Sequence, residues 1–207
     1  MLKELFDKHQ CDKGTLKHHY YKDYEPYFED IRLEPLNFLE IGTFKAASTE
    51  AFYHYFPNAN IYTIDIFVRT NPKDLKILHE DRVHWLKADS MDASLGMKIR
   101  DQWGQDIKFD IIIDDGAHWP EANRLTFENL VPLLKDEGTY FIEDVWPMDR
   151  MSLDQLNNNW LKRHPDRYDM LKHNRFMTTL DDYETTHHDR RSETKCGDTY
   201  IIAINKK

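Results

Sequence analysis

Two pairs of neighbouring acids, Asp114 and Asp115 in "IIIDDGAH" (111–118) and Glu143 and Asp144 in "FIEDV" (141–145), each end a short apolar run. Carboxylates delivered together at the tips of buried segments repel one another and raise each other's pKa unless a cation offsets them. A hard, oxygen-liganded divalent ion, Mg2+ above all, is the economical partner for Asp115, Glu143 and Asp144. The alternative is that single acids cap helices expected to start near Pro120 and Met151. His118 follows Asp115 by three residues. An imidazole of pKa about 6.5 suits removal of a proton from a hydroxyl that a metal has made more acidic. A lone histidine is nonetheless more often a structural hydrogen-bonding group.

A second set of polar residues follows other apolar runs. "LNFLEIG" (36–42) ends in Glu40 and Gly42, "NIYTIDIF" (60–67) carries Asp65, and Asp89 and Ser90 follow "VHWLKA" (83–88). Glycine after a buried strand permits a tight turn and close approach of a ligand, although a plain turn has the same signature. A carboxylate about twenty residues further on can accept hydrogen bonds from both hydroxyls of a ribose. The pair therefore points to a nucleoside-containing ligand. The stretch lacks the three spaced glycines of a dinucleotide site, and its acidic rim disfavours a pyrophosphate. S-adenosylmethionine has ribose, adenine and a cationic sulfonium without phosphate, and it fits better.

These residues need a scaffold that brings strand ends together. Apolar runs predict strands over 36–42, 60–67, 83–88, 109–114, 138–145 and 198–205, with helices over 72–80, 91–103, 120–134 and after Gly42. Alternating β and α elements imply an α/β, doubly wound sheet with helices on both faces, whose ligands collect outside the carboxyl ends of the strands. Within "FDIIID", successive side chains point to opposite sides, so Asp114 and Asp115 should face different surroundings. Aromatic and apolar positions at 16, 20, 24, 27, 28 and 31 predict an amphipathic helix ahead of the core, with Pro26 as its kink or break. "MSLDQLNNNWLKRH" (151–164) reads as a further helix. "NRFMTTLDDYETTHHDRRSETKCGD" (174–198) reads as a solvated loop, where a metal site at His187 and His188 is disfavoured because adjacent strand residues point apart.

With 207 residues, aromatics at 13% and charged residues at 31%, the composition is that of a single globular domain. A formal charge of −9 argues against nucleic acid as the main partner and for a small-molecule acceptor. Two cysteines in unlike contexts, Cys11 and Cys196, give neither a disulfide framework nor a metal finger. No run of 18 apolar residues and no secretory segment occurs, so the expectation is a cytoplasmic protein without membrane association; a homo-oligomer stays open.

The stretches "DKGTLKHHYYKDYEPYF", "FLEIGTFKAASTEAF", "NANIYTIDIF", "KADSMD" and "FDIIIDDGAHWPEANRLTFENLVPLLKDEGTYFIEDV", in this order, resemble the metal-dependent class I methyltransferases. The most similar group comprises the macrolide-sugar O-methyltransferases of mycinamicin type and the cephalosporin hydroxylase-like proteins. The resemblance covers about 12–145 and implies a Rossmann-like methyltransferase fold, a mostly parallel seven-stranded sheet with an antiparallel last strand. It divides the single domain (1–207) into an N-terminal lid and helix (1–35), a cofactor-binding core (36–145) and an acceptor-side elaboration (146–207). It implies that Glu40, Gly42, Ser48, Asp65, Asp89, Ser90 and Asp114 contact or shape the S-adenosylmethionine site. It further implies that Lys13 and Thr15 are lid contacts, that Asp115, Glu143 and Asp144 hold Mg2+, and that His118 is the base. Tyr20, Tyr24 and Phe28 read equally as an aromatic face on the core. The family has a further glycine or two where this chain has "KAAS" (45–48), and alanine is costly there if φ must be positive. The implied activity is O-methylation of a small hydroxylated molecule. A non-catalytic homologue and a metal-dependent hydrolase on the same fold are the alternatives.

Overall fold

The computed structural model describes residues 1–145, 178–194 and 196–207. Seven strands form one sheet: β1 (Asn37–Ile41), β2 (Asn60–Asp65), β3 (Val83–Lys87), β4 (Phe109–Asp114), β5 (Leu134–Ile142), β6 (Tyr183–Asp189) and β7 (Tyr200–Lys206). Their order is β3-β2-β1-β4-β5-β7-β6. The first five pair in parallel, and β7 runs antiparallel to both β5 and β6. Chain order reverses between β1 and β4, the kind of switch point outside which open α/β sheets gather their ligands.

Helices α1 (Leu2–Lys8), α2 (Tyr21–Phe28), α3 (Ala47–Tyr55), α4 (Leu95–Trp103) and α5 (Pro120–Leu130) cover the sheet. The period of two in β4 divides the core. Ile111 and Ile113 pack with Phe6, Tyr24, Phe28 and Phe52 from α1, α2 and α3. Ile112 packs on the other face with Leu95, Ile99, Phe127 and Leu130 from α4 and α5. The first face is unusually aromatic: Tyr24 stacks on Phe28 at 5.1 Å and meets Phe141 edge-on at 5.1 Å, an arrangement that aromatic quadrupoles favour.

Several elements differ from the sequence expectation. The helix before the core starts at Tyr21 and not near Leu16, because His19 takes a positive φ of 58° and Gly14 sits in a non-helical turn; Leu16 is 73% exposed. Residues 72–80 form two short 3-10 turns, Pro72–Asp74 and Lys76–His79, the first fixed by Asn71 accepting a hydrogen bond from Lys73 N. The helix predicted over 91–103 begins at Leu95, and that over 120–134 ends at Leu130, before a 3-10 turn containing Pro132, whose ring cannot donate to the helix ladder. Residues 183–189, read as loop, are edge strand β6. The helix predicted at 151–164 lies outside the described residues. Among the described residues no helix is long and apolar enough to cross a membrane.

Candidate active site

The first loop is shaped by a close approach. Gly42 has φ +94°, and a Cβ there would lie 2.1 Å from the carbonyl oxygen of Asp115. Asp115 N donates to Ile41 O at 3.0 Å, so the exits of β1 and β4 are clasped backbone to backbone. Only glycine allows this contact, and it fixes where Asp115 stands. Ala46, the N-cap of α3, is buried and left-handed at φ 61°. The backbone thus demands positive φ at the "KAAS" position.

Glu40 is fully buried and accepts a hydrogen bond from Thr49 Oγ1 at 2.6 Å. Burial pushes its carboxyl up to about 7, opposed by the Lys13 ammonium and by the Ser48 and Thr49 hydroxyls. Its Oε1 is buried with no hydrogen-bond partner. Asp65 joins two loops: Oδ2 accepts from Phe44 N at 2.9 Å and Oδ1 from Phe67 N at 2.6 Å. Each oxygen retains a lone pair for a further donor. Phe44, Ile66 and Val68 stand exposed around it. Asp89 accepts from Met91 N at 2.9 Å, and Ser90 Oγ meets Thr126 Oγ1 at 2.8 Å.

Asp114 and Asp115 face opposite sides, as the strand period requires. Asp114 is buried; its Oδ1 accepts from Gly116 N at 3.2 Å and its Oδ2 from the Asn123 amide at 3.4 Å. Burial raises its carboxyl to about 6 against those hydrogen bonds. It therefore braces the β4–α5 turn. Asp115, His118 and Asp144 instead converge, with one ligand atom from each inside a span of 4.8 Å. His118 Nε2 is 3.7 Å from Asp115 Oδ1. His118 and Asp144 are both left-handed, with φ of 61° and 50°.

The N-terminal segment closes this cluster. Lys13 Nζ donates to Asp115 Oδ2 and to Glu143 Oε2, both at 2.5 Å, from a side chain only 2% exposed. Burial alone would lower its pKa, but the two carboxylates outweigh it and hold the ammonium charged. Tyr24 donates to Glu143, and Tyr20 to Asp144 at 2.5 Å. His18 Nδ1 meets Thr199 Oγ1 at 2.9 Å while Nε2 stands 3.7 Å from Asp144; burial lowers its pKa to about 4. Burial raises the carboxyls of Asp115, Glu143 and Asp144. Sequence reasoning did not find Tyr20, Tyr24 and His18 as partners of the acids, though the run "HHYYKDY" carries the signal: tyrosine hydroxyls on a buried face need acceptors. Thr15, expected at the lid, is exposed and donates to Asp7 through both N and Oγ1. His187 and His188 diverge, toward Tyr200 and Asp23 respectively.

No protein-family model matches the chain. The 8-demethyl-8-(2-methoxy-alpha-L-rhamnosyl)-tetracenomycin-C 3'-O-methyltransferase of Streptomyces olivaceus is 32% identical over 152 residues, covering 70% of this chain and 37% of that enzyme. Mycinamicin VI 2''-O-methyltransferase of Micromonospora griseorubida is 30% identical over 152 residues, covering 70% and 36%. The MycE methyltransferase of the mycinamycin biosynthetic pathway, solved with Mg and SAH, superposes with TM-score 0.70 at 22% identity over 99% of this chain and 54% of its own. The chain belongs to the same family as these sugar O-methyltransferases and has the class I methyltransferase fold. It spans little more than a third of these curated relatives and about half of MycE. A putative caffeoyl-CoA O-methyltransferase from Staphylococcus aureus superposes with TM-score 0.53 at 18% identity, covering 99% of this chain and 98% of its own.

Proposed function

We propose that this chain is an S-adenosylmethionine- and Mg2+-dependent O-methyltransferase whose acceptor is a hydroxyl of a small molecule, a sugar by analogy with the tetracenomycin and mycinamicin enzymes. The observation that carries the proposal is the gathering of Asp115, His118 and Asp144 beside Gly42, at the point where strand order reverses. Both groups fit the residues present. The Asp115 and Asp144 carboxylates within 4.8 Å of each other suit a hard divalent ion with His118 beside it as a base, and the buried, unpartnered Oε1 of Glu40 is an acceptor for an ammonium or a water that such a cofactor brings.

Asp115 and Asp144 would hold Mg2+, with Glu143, engaged by Lys13 and Tyr24, next to them. Mg2+ there supplies a Lewis acid that makes an acceptor hydroxyl more acidic, and S-adenosylmethionine supplies an already activated methyl group. Asp65, with a free lone pair on each oxygen, would receive the ribose hydroxyls, while Asp89, Ser90 and the exposed Phe44 and Ile66 border the same side. His118 would take the hydroxyl proton at Nε2, the nitrogen beside Asp115. Fixing acceptor and donor in line is the chain's main contribution, since orientation accounts for much of such barriers. Residues 36–145 serve the cofactor, and 1–35 with 146–207 shape the acceptor side.

Lys13, seated on two of the carboxylates, favours a second reading, a cofactor-binding homologue without transfer activity. One experiment separates the two. Methyl transfer to a panel of free sugars and glycosides is measured with chelator and with added Mg2+, alongside calorimetry with S-adenosylhomocysteine. Activity that chelator abolishes and Mg2+ restores, falling by about 10²–10⁴ in His118→Ala, is the expected result. Chelator-resistant turnover refutes the metal role, and cofactor binding without turnover on any acceptor leaves the second reading.

A further inference from the structure

A second group of metal-ligating side chains lies where α1 meets α3. His9 follows α1 directly, and Glu50 and His54 sit four residues apart on α3, a spacing that puts both on one helix face. Phe6 and Phe52 lock the two helices edge to face at 5.3 Å, so the spacing is set by the core. His9 Nδ1 is 3.5 Å from Glu50 Oε2, and the His9 and His54 rings lie 5.6 Å apart and 18° from parallel. One ligand atom from each of the three falls within 4.8 Å of the others. Ligands held at 2.0–2.1 Å around a tetrahedral ion are roughly 3.3 Å apart. The His9–Glu50 edge already has about that length, and His54, on the exposed side of α3, can swing to complete the site.

We propose that His9, Glu50 and His54 form a transition-metal site, for Zn2+ or an ion of similar preference, that staples α1 to α3. Two imidazoles and one carboxylate suit Zn2+, whereas Mg2+ takes an all-oxygen shell. The site thus discriminates against the ion assigned to the Asp115 cluster and shares no residue with it. His9 is positioned as a ligand: its Nδ1 faces Glu50, and its buried Nε2 has no hydrogen-bond partner that would hold the ring in another role. The consequence reaches the active site through the chain. α1 leads into the turn that carries Lys13, and α3 opens with Ala46, Ser48 and Thr49 beside Glu40. An ion at this junction restrains both segments together.

The test uses the full chain, stripped with chelator and titrated with Zn2+ alone by calorimetry, with Co2+ absorption as a second readout and the unfolding temperature as a third. The expected result is one equivalent bound, a Co2+ spectrum of tetrahedral type and a raised unfolding temperature. Each should persist in Asp115→Asn/His118→Ala and in Cys196→Ser. Affinity should fall by at least about tenfold in Glu50→Gln and in His54→Ala, since losing a ligand costs no less than losing its supporting hydrogen bond. Both substituted residues are off the buried core, and circular dichroism checks that the fold is kept. Absence of Zn2+ binding overturns the proposal, as does binding that survives in Glu50→Gln and His54→Ala or that is lost only in the Asp115, His118 or Cys196 variants.

Discussion

Replacing Lys13 by methionine isolates the charge that the N-terminal segment brings to the acid cluster. The side chain is 2% exposed and contacts Asp115 and Glu143, both at 2.5 Å, so the substitution keeps much of the packed volume and removes only the cation. Breaking a buried ion pair at one partner costs about 3–5 kcal/mol, because the other partner stays buried without compensation. With a urea dependence of about 2–3 kcal/mol per molar for a chain of this size, the unfolding midpoint should fall by roughly 1–2 M. Mg2+ should recover part of that loss in Lys13→Met and less in the parent, since only the variant leaves two carboxylates uncompensated. The assay is urea unfolding followed by tryptophan fluorescence, with 0 and about 10 mM Mg2+, ion concentrations at which weak binding registers through mass action. A midpoint change below about 0.3 M, or an equal Mg2+ effect in both proteins, would refute the claim that this ammonium holds the cluster together.

Three further outcomes follow from the backbone and from Glu40. Ala46→Gly should stabilise by about 1 kcal/mol, since the left-handed region costs alanine roughly 1–2 kcal/mol and glycine almost nothing, less the extra freedom glycine has when unfolded; differential scanning calorimetry should show an unfolding temperature some 2–4 °C higher. Gly42→Ala should cost about 2–5 kcal/mol, the sum of that same penalty and the overpacking of a Cβ against the Asp115 carbonyl, and should weaken S-adenosylhomocysteine binding measured by calorimetry. Glu40 binds its proton more tightly folded, at about 7, than unfolded, at 4.5, so its contribution to stability is full below pH 4.5 and is lost as pH rises to 7. Relative to the parent, Glu40→Gln should therefore gain on the order of 3 kcal/mol between pH 4.5 and 8 in cofactor-free urea titrations, and a constant difference across that range would contradict the assignment.

The central parallel strands β1 and β4 were legible because they are buried on both faces and so read as unbroken apolar runs; "FDIIID" was placed to the residue. β6 was not, because "YETTHHD" is an edge strand, paired on one side only and largely polar, and such a sequence carries no buried stripe. The turns at 72–79 misled for a local reason: the Asn71-Pro72 pair starts a turn as readily as a helix, and Asn71 makes the turn's hydrogen bond. Among the site residues, acids at strand tips were recognisable by position. The seat of Lys13 was not, since its partners lie 102 and 130 residues away and only the folded sheet brings them near. Segment pairing of that range has no signature in spacing.

The loops after β1, β2, β4 and β5 all contain non-glycine residues with positive φ and leave the same edge of the sheet; Phe44 and Phe67 turn their amides onto Asp65, which leaves Ala46, His118 and Asp144 as the other three. Strained residues persist where surrounding structure over-determines them, and here the flanking backbone is pinned. Glu143 N donates to Asp114 O at 3.0 Å and Val145 N to Tyr200 O at 3.1 Å, so Asp144 turns between two anchors from neighbouring strands. The turn aims its carboxylate at Tyr20 and at the cluster and keeps it from following Glu143 along the strand. His and Asp tolerate the left-handed region several times better than most residues, whereas alanine has no side-chain hydrogen bond to offset the cost. The strain at His118 and Asp144 is therefore matched by residue types that bear it and that carry the proposed chemistry, while the strain at Ala46 has no such return. That asymmetry makes position 46 the one of the three where relief should raise stability without removing a group from the cluster.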